Sequence, residues 1–297
     1  MIVLNQIADE RLWGGEKLIP LVEERHSRIG HLYTCISNKE YSSLILNGTY
    51  KGKTLKSYFD ENKDRLGLSC FDYFPVVLAL VDAKENLSIQ VHPDDKIIGQ
   101  YERANKGKNE SWFFIESPPS GAIINGCKCK SKHLLRSLFE SGDYVGAVDT
   151  LEVSEGSYVY CEAGTLHALT SGSLVFEIEE NQDYTYRFYD YGRVDASGKL
   201  REMQMDKAIG SLDPEKKSIS EVARNTKHIH RGYSFQLFEH VKSYKNCDDT
   251  IVCLTLLKGN AVVDGSVVGP GVTIIMESGE EIIGNLDVIA IVTPFTY

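Results

Sequence analysis

Gln90 and His92 stand one residue apart in Leu87-Ser-Ile-Gln-Val-His, where apolar and polar residues alternate with period two. On a strand, side chains at i and i+2 share a face, so this amide oxygen and this imidazole can reach a single ion. Pro93-Asp94-Asp95 ends the strand. Lys108 and Glu110 repeat the i, i+2 spacing at the entry to the next strand. His167 follows Ala163-Gly-Thr-Leu, a turn able to present a ligand at a strand start. Two imidazoles, a carboxylate and an amide oxygen form an N/O donor set without thiolate. Such a set suits Zn²⁺, and also Mn²⁺, Fe²⁺ or Ni²⁺. A closed structural zinc site would normally carry several cysteines, whereas an N/O site with an open position can polarise a substrate oxygen. We therefore expect Gln90, His92, Glu110 and His167 to converge on one metal ion that is there for chemistry. His26, His133, His228, His230 and His240 have no comparable company and read as structural.

A second group lies in a short aromatic-rich stretch: Glu177, Glu179, Asp183, Arg187, Asp190 and Arg193. Glu177 and Glu179 share a strand face. Arg187 sits amid Tyr184, Tyr186, Phe188 and Tyr189. A guanidinium so placed can hold a phosphate or an oxyanion through two parallel hydrogen bonds. The same residues fit an ion-pair ladder on a sheet surface equally well.

The elements that must carry these groups are mostly strands. Ser111-Trp-Phe-Phe-Ile, Ser157-Tyr-Val-Tyr, Leu174-Val-Phe-Glu-Ile-Glu and Tyr184-Thr-Tyr-Arg-Phe-Tyr-Asp-Tyr alternate or are rich in β-branched and aromatic residues. Lys106-Gly-Lys, Pro118-Pro-Ser-Gly and Ala163-Gly punctuate them. Thr54 can cap a helix bearing Leu55, Tyr58 and Phe59 and ending near Gly67. Ser131 can cap another bearing Leu134, Leu135, Leu138 and Phe139 and ending near Gly142, with a shorter helix from Asp143. Helices inserted irregularly between strands disfavour a doubly wound α/β fold.

Residues 213–224 are polar and charged, and a second β-rich block follows them. Its strands are expected over 235–241, 250–257, 261–264, 272–276 and 288–292, with Gly259-Asn and Gly269-Pro-Gly as hairpin turns. We divide the chain into residues 1–225, carrying the metal site and inserted helices, and a smaller β domain over residues 226–297.

The chain has 297 residues, net charge −10 and 42% hydrophobic residues, with a pI near 5.4. This acidity argues against sequence-independent nucleic-acid binding but leaves room for one small anionic substrate. Met1-Ile-Val-Leu-Asn lacks the basic start and long apolar run of a signal peptide, and the longest apolar run, Val76 to Val81, is too short for a membrane span. Seven scattered cysteines read as reduced thiols in a cytoplasmic protein. Cys127-Lys-Cys129 is not a zinc-type pair.

Together the motifs resemble the type I mannose-6-phosphate isomerases, zinc-dependent cupins, in their short bacterial form. The matching segments are Leu12-Trp-Gly-Gly, Asn47-Gly-Thr-Tyr-Lys-Gly-Lys-Thr-Leu, Leu87-Ser-Ile-Gln-Val-His-Pro-Asp-Asp, Gly107-Lys-Asn-Glu-Ser-Trp, Ala163-Gly-Thr-Leu-His-Ala and the run from Glu177 to Arg193. They cover about the first two-thirds of the chain in matching order. The resemblance implies a cupin, or jelly-roll, fold and one Zn²⁺, with other divalent metals in its place, held by Gln90, His92, Glu110 and His167. It further implies a catalytic Arg187 and a sugar-phosphate pocket lined by Lys108, Glu177, Asp183 and Ser88, with Arg193 as its further basic residue. The implied reaction interconverts mannose 6-phosphate and fructose 6-phosphate through an enediol. Glu177, Asp183 or a metal-bound water stand as bases. Two alternatives are a non-catalytic sugar-phosphate-binding cupin and another cupin metalloenzyme such as an oxygenase. One departure stands out. Family members carry Gly-Glu-x-Trp-Glu near residue 30, whereas this chain reads Gly30-His-Leu-Tyr-Thr.

Overall fold

Val76-Val-Leu-Ala-Leu-Val-Asp shows no alternation and is buried at every position, the pattern of a strand covered on both faces. Such a strand belongs in the middle of a sheet, and the computed structural model places it there. The structure describes residues 1–194 and 198–295. Its elements begin with β1 (Ile2–Val3), β2 (Ile7–Asp9), β3 (His31–Cys35), α1 (Leu55–Asn62), β4 (Val76–Asp82), β5 (Ile89–Val91), α2 (Asp95–Tyr101), β6 (Glu110–Glu116) and β7 (Ala122–Cys127). They continue with α3 (Lys132–Glu140), α4 (Tyr144–Ala147), β8 (Val148–Glu152), β9 (Ser157–Cys161), β10 (His167–Ala168), β11 (Leu174–Glu180), β12 (Tyr186–Tyr189), α5 (Met205–Ser211) and β13 (Ser220–Val222). The last six are β14 (Lys227–Ile229), β15 (Tyr233–Lys245), β16 (Val252–Val263), β17 (Ser266–Val268), β18 (Thr273–Met276) and β19 (Glu281–Pro294).

Three sheets result. One runs β13-β9-β6-β11-β4-β3-β2, a second runs β12-β5-β10-β7-β8, and the third runs β1-β18-β16-β19-β15-β14 with β17 beside β16. The first two form the mainly β sandwich that the sequence leads one to expect. Trp112 of β6 meets His167 of β10 edge-on between them. The third sheet is the C-terminal β unit, and it takes one strand, β1, from the start of the chain. The division we propose at residue 225 thus falls between β13 and β14, with β1 crossing it. No helix among the described residues is long and apolar enough to cross a membrane.

The inserted helices start where side chains can cap them. Thr54 accepts from Ser57 N–H, Ser131 from Leu134 N–H and Asp143 from Gly146 N–H. Asp94 does the same for α2, accepting from Lys96 and Ile97 N–H at 2.9 Å each. Pro93-Asp94-Asp95 therefore ends a strand and begins a helix in one step. In α3, Leu135 and Phe139 are buried while Leu134 is 48% exposed, so only part of the expected apolar face is used.

Gly259-Asn is not the expected hairpin turn. β16 runs straight through it, with Gly259 at φ +100° and the pairing register shifting beside it, so the glycine makes a bulge. A Cβ there would lie 2.0 Å from the carbonyl oxygen of Asn285. The turn is instead Asp264-Gly265, both at positive φ, between Val263 and Ser266.

A polar and aromatic seam joins the sandwich to the third sheet. Tyr158 Oη donates to Ser111 Oγ at 2.7 Å, and Tyr233 Oη shares that hydroxyl at 2.5 Å. His230 stacks on Tyr160 with ring centroids 3.8 Å apart. Burial, and then neighbouring His228, lower the His230 pKa from 6.5 to about 4. A value depressed on folding means that the unfolded chain takes up a proton the folded chain refuses, so this contribution is intact above pH 6.5 and lost as pH falls toward 4. Tm should therefore hold near neutral pH and fall from pH 6.5 downward. His230→Phe, which keeps a ring against Tyr160, should flatten that fall in a calorimetric pH series, and an unchanged slope would remove His230 as a source.

Candidate active site

Arg187 on β12, Gln90 on β5 and His167 on β10 are direct partners across three adjacent strands. Opposite residues in an antiparallel pair share a face, so the three side chains form one row. The facing sheet supplies a second set, with Glu110 paired to Glu179 and Trp112 paired to Glu177 between β6 and β11. The inner faces enclose a cavity of about 280 Å³.

At its wall, His92 Nε2 lies 2.9 Å from Glu110 Oε2, and His167 Nε2 lies 3.2 Å from Glu110 Oε1. His92 Nδ1–H donates to the Tyr184 carbonyl at 2.8 Å, and His167 Nδ1–H donates to the Thr165 carbonyl at 2.9 Å. Both rings are thereby held with Nε2 free to act as a lone-pair donor toward Glu110. Lone pairs facing a carboxylate repel it unless a proton or cation lies between. One ligand atom from each of His92, Glu110 and His167 lies within 4.8 Å of the others, and Glu110 Oε1 has no hydrogen-bond partner. This set fits a divalent metal.

Gln90 closes the group, with Nε2 3.3 Å from His167 Nε2 and Oε1 accepting from Ser88 Oγ at 3.1 Å. A half-turn of the amide would bring the oxygen inward, and the Ser88 hydroxyl can satisfy either end. The turn that presents His167 is pinned from the next strand. Asn109 Oδ1 accepts from Ala163 N–H at 2.8 Å, and Gly164 N–H donates to the His92 carbonyl at 2.9 Å.

Lys108 is buried with Nζ 2.5 Å from Glu179 Oε1 and 3.3 Å from Glu110 Oε2. Burial alone would lower its pKa, but the charges of Glu179, Glu110 and Glu177 outweigh it and hold the ammonium charged. Burial would likewise raise the Glu110 pKa, yet His92, Lys108 and His167 hold it well below the usual carboxylate range. Glu177 goes the other way: burial, then Glu179 and Glu110, push it well above that range. Arg187 lines the cavity and has no carboxylate within ion-pair distance among the described residues. Burial, and then Arg201, lower its pKa.

A family model for the type I phosphomannose isomerase catalytic domain matches residues 6–111. A putative mannose-6-phosphate isomerase of Bacillus subtilis (strain 168) is 36% identical over 217 residues, which are 71% of this chain and 67% of that protein. The chain belongs to the type I mannose-6-phosphate isomerase family. Another member from the same organism, a mannose-6-phosphate isomerase, is 36% identical over 73% of this chain and 71% of its own length. The crystal structure of the mannose 6-phosphate isomerase from Bacillus subtilis superposes with a TM-score of 0.86 at 27% identity, covering 98% of this chain and 99% of that one.

Within this isomerase fold, Ser88, Lys108, Glu177 and Arg187 line the cavity that Gln90, Glu110 and His167 also line, and Asp183 stands at its exposed rim. Arg193 lies outside the lining. Its guanidinium pairs with Asp190 at 2.8 Å and Glu85 at 3.3 Å. Arg201 lines the cavity instead, tied to Asp190 at 2.9 Å. Arg11, His31, Tyr33 and Trp112 also line it, and sequence reasoning assigned them no role. The i, i+2 spacing of His31 and Tyr33 was a usable signal. For Arg201 there was none, because it lies in a polar stretch without periodicity.

Proposed function

We propose that this chain interconverts mannose 6-phosphate and fructose 6-phosphate, and that its substrate class is hexose 6-phosphates. The observation that carries the reading is the row Arg187–Gln90–His167 facing Glu110 across one cavity. A cation without a carboxylate partner among the described residues stands beside a preformed N/O donor set. We assign Gln90, His92, Glu110 and His167 to hold the metal, Zn²⁺ or another divalent ion. When bound, it would supply Lewis-acid polarisation of a substrate oxygen.

The remaining work falls to the chain's own residues. Moving a proton between C2 and C1 of the open sugar builds negative charge on the two oxygens of an enediolate. Arg187 stands in the row where those oxygens would lie, and its charge needs no reorientation to meet them. Lys108 adds a second fixed positive charge, oriented by Glu179. A wall carboxylate takes the carbon-bound proton from one of these carbons and returns it to the other. Arg201 and Arg11 add cations for the phosphate toward the open side.

The test is a coupled assay that follows fructose 6-phosphate formed from mannose 6-phosphate by metal-loaded protein. Sustained turnover is expected. Binding without turnover, in fully loaded protein, would leave a sugar-phosphate-binding cupin as the correct reading.

A further inference from the structure

Tyr33 on β3 pairs with Ala79 on β4, and Ala79 pairs in turn with Glu177 on β11. His31 precedes Tyr33 by two residues and shares its face. Because Ala79 offers only a methyl group, the longer side chains on either side of it can meet. His31 Nε2 lies 3.6 Å from Glu177 Oε2. The imidazole is held in place: Trp13 meets it edge-on at 5.1 Å, and Tyr33 stacks on it at 5.4 Å with the planes 4° apart. Glu177 is held at its other oxygen, where Oε1 accepts from Trp112 Nε1–H at 2.8 Å. Glu177 Oε2 is buried without a hydrogen-bond partner, and so is His31 Nδ1.

A gap of 3.6 Å is too long for a direct N–H···O bond. It is short enough for one hydroxyl to touch both atoms, since a hydroxyl donates and accepts at once. Both residues line the cavity on the wall away from the Arg187–Gln90–His167 row. A sugar whose reacting oxygens face that row turns its other hydroxyls toward this wall. We propose that His31 and Glu177 form a two-point clip for one non-reacting hydroxyl of the sugar, at C3 or C4. Nε2 and Oε2 take the two ends of that hydroxyl, one donating to its oxygen and the other accepting its proton. The inference rests on the hexose-phosphate reading above and names the contact by which the site tells one sugar from another. A sugar without that hydroxyl leaves buried polar atoms unpaired, which costs binding. Burial, and then the charges of Arg11 and Lys108, push His31 down to about 3, so the ring is neutral and carries one N–H.

The chain's two tryptophans, Trp13 and Trp112, both line the cavity and flank the clip. Their fluorescence can report binding to the metal-loaded protein. The probes are fructose 6-phosphate and its 3-deoxy and 4-deoxy analogues. Wild type should bind one analogue about tenfold more weakly than the parent. His31→Ala should bind that analogue and the parent equally. His31→Gln, which keeps an amide N–H, should restore the preference. Metal content and Tm of each variant establish that it is folded. The clip is overturned if wild type shows no preference against either analogue, if His31→Ala keeps the preference, or if both variants weaken all three ligands alike. Turnover is measured on the same samples. Binding without turnover refutes the isomerase reading and leaves the analogue series to decide the clip, whereas wild type that binds no hexose phosphate overturns both.

Discussion

Replacing Arg187 with alanine should leave metal content unchanged and lower kcat by about 10²–10³-fold, the range seen when one preorganised charge-stabilising donor is removed. Two features set this expectation. Arg187 is the direct partner of Gln90 across β5 and β12, so its guanidinium starts from the ligand row. It also has no carboxylate partner among the described residues, so its positive charge is not already neutralised within the cavity. Arg187→Lys should recover only part of the loss, because an ammonium cannot present two parallel N–H groups. Steady-state kinetics beside metal analysis separates the outcomes. Near-normal kcat in Arg187→Ala would take the residue out of the chemistry, and lost metal would make it a support for Gln90.

Chelation should abolish turnover, and a divalent ion should restore it. The geometry predicts a stability change as well. His92 Nε2 and Glu110 Oε2 are 2.9 Å apart, and His92 Nδ1 already donates to the Tyr184 carbonyl. Without a metal ion between them, these two electron-rich atoms can lie this close in a buried place only by taking up a proton. Metal-free protein should therefore melt at a lower temperature, and added metal should raise Tm with concentration. An ion present at about a hundred times its Kd stabilises by about 2.7 kcal/mol through linkage. Full activity in protein stripped to near-zero metal would remove the ion from the mechanism, and a Tm indifferent to metal would place binding elsewhere.

The local part of this site could be read from the sequence, and the long-range part could not. Gln90 and His92 were visible because a strand repeats every two residues. His167 was visible because Ala163-Gly164 marks a turn. The register that sets Arg187, Gln90 and His167 in one row depends on three strands far apart in sequence, and no short pattern encodes it. Arg201, which the sequence reading did not single out, stayed hidden for the same reason, while Arg193 was named by resemblance. Both are basic residues past β12, and only the fold turns one toward Glu85 and the other toward the cavity. His31 was noticed only as a departure at Gly30–Thr34, and its nearness to Glu177 needs the small Ala79 between β3 and β11. Gly259-Asn misled because a glycine at positive φ serves a bulge as well as a turn.

β1 has a consequence for how the chain reaches this state in a cell. Ile2 pairs with Ile275 and Val3 with Ile274, so residues made early wait for a strand made far later. At about 5–20 residues per second, a ribosome needs roughly 15–55 s to make the intervening segment. During that time the sandwich can assemble while Ile2 and Val3 lack their partner strand. Closing so long a loop is slow and rewards the chain only once β18 has been made. Docking of β1 onto β18 is therefore a late step in folding, and until then the growing chain carries an unpaired apolar strand that a chaperone can hold.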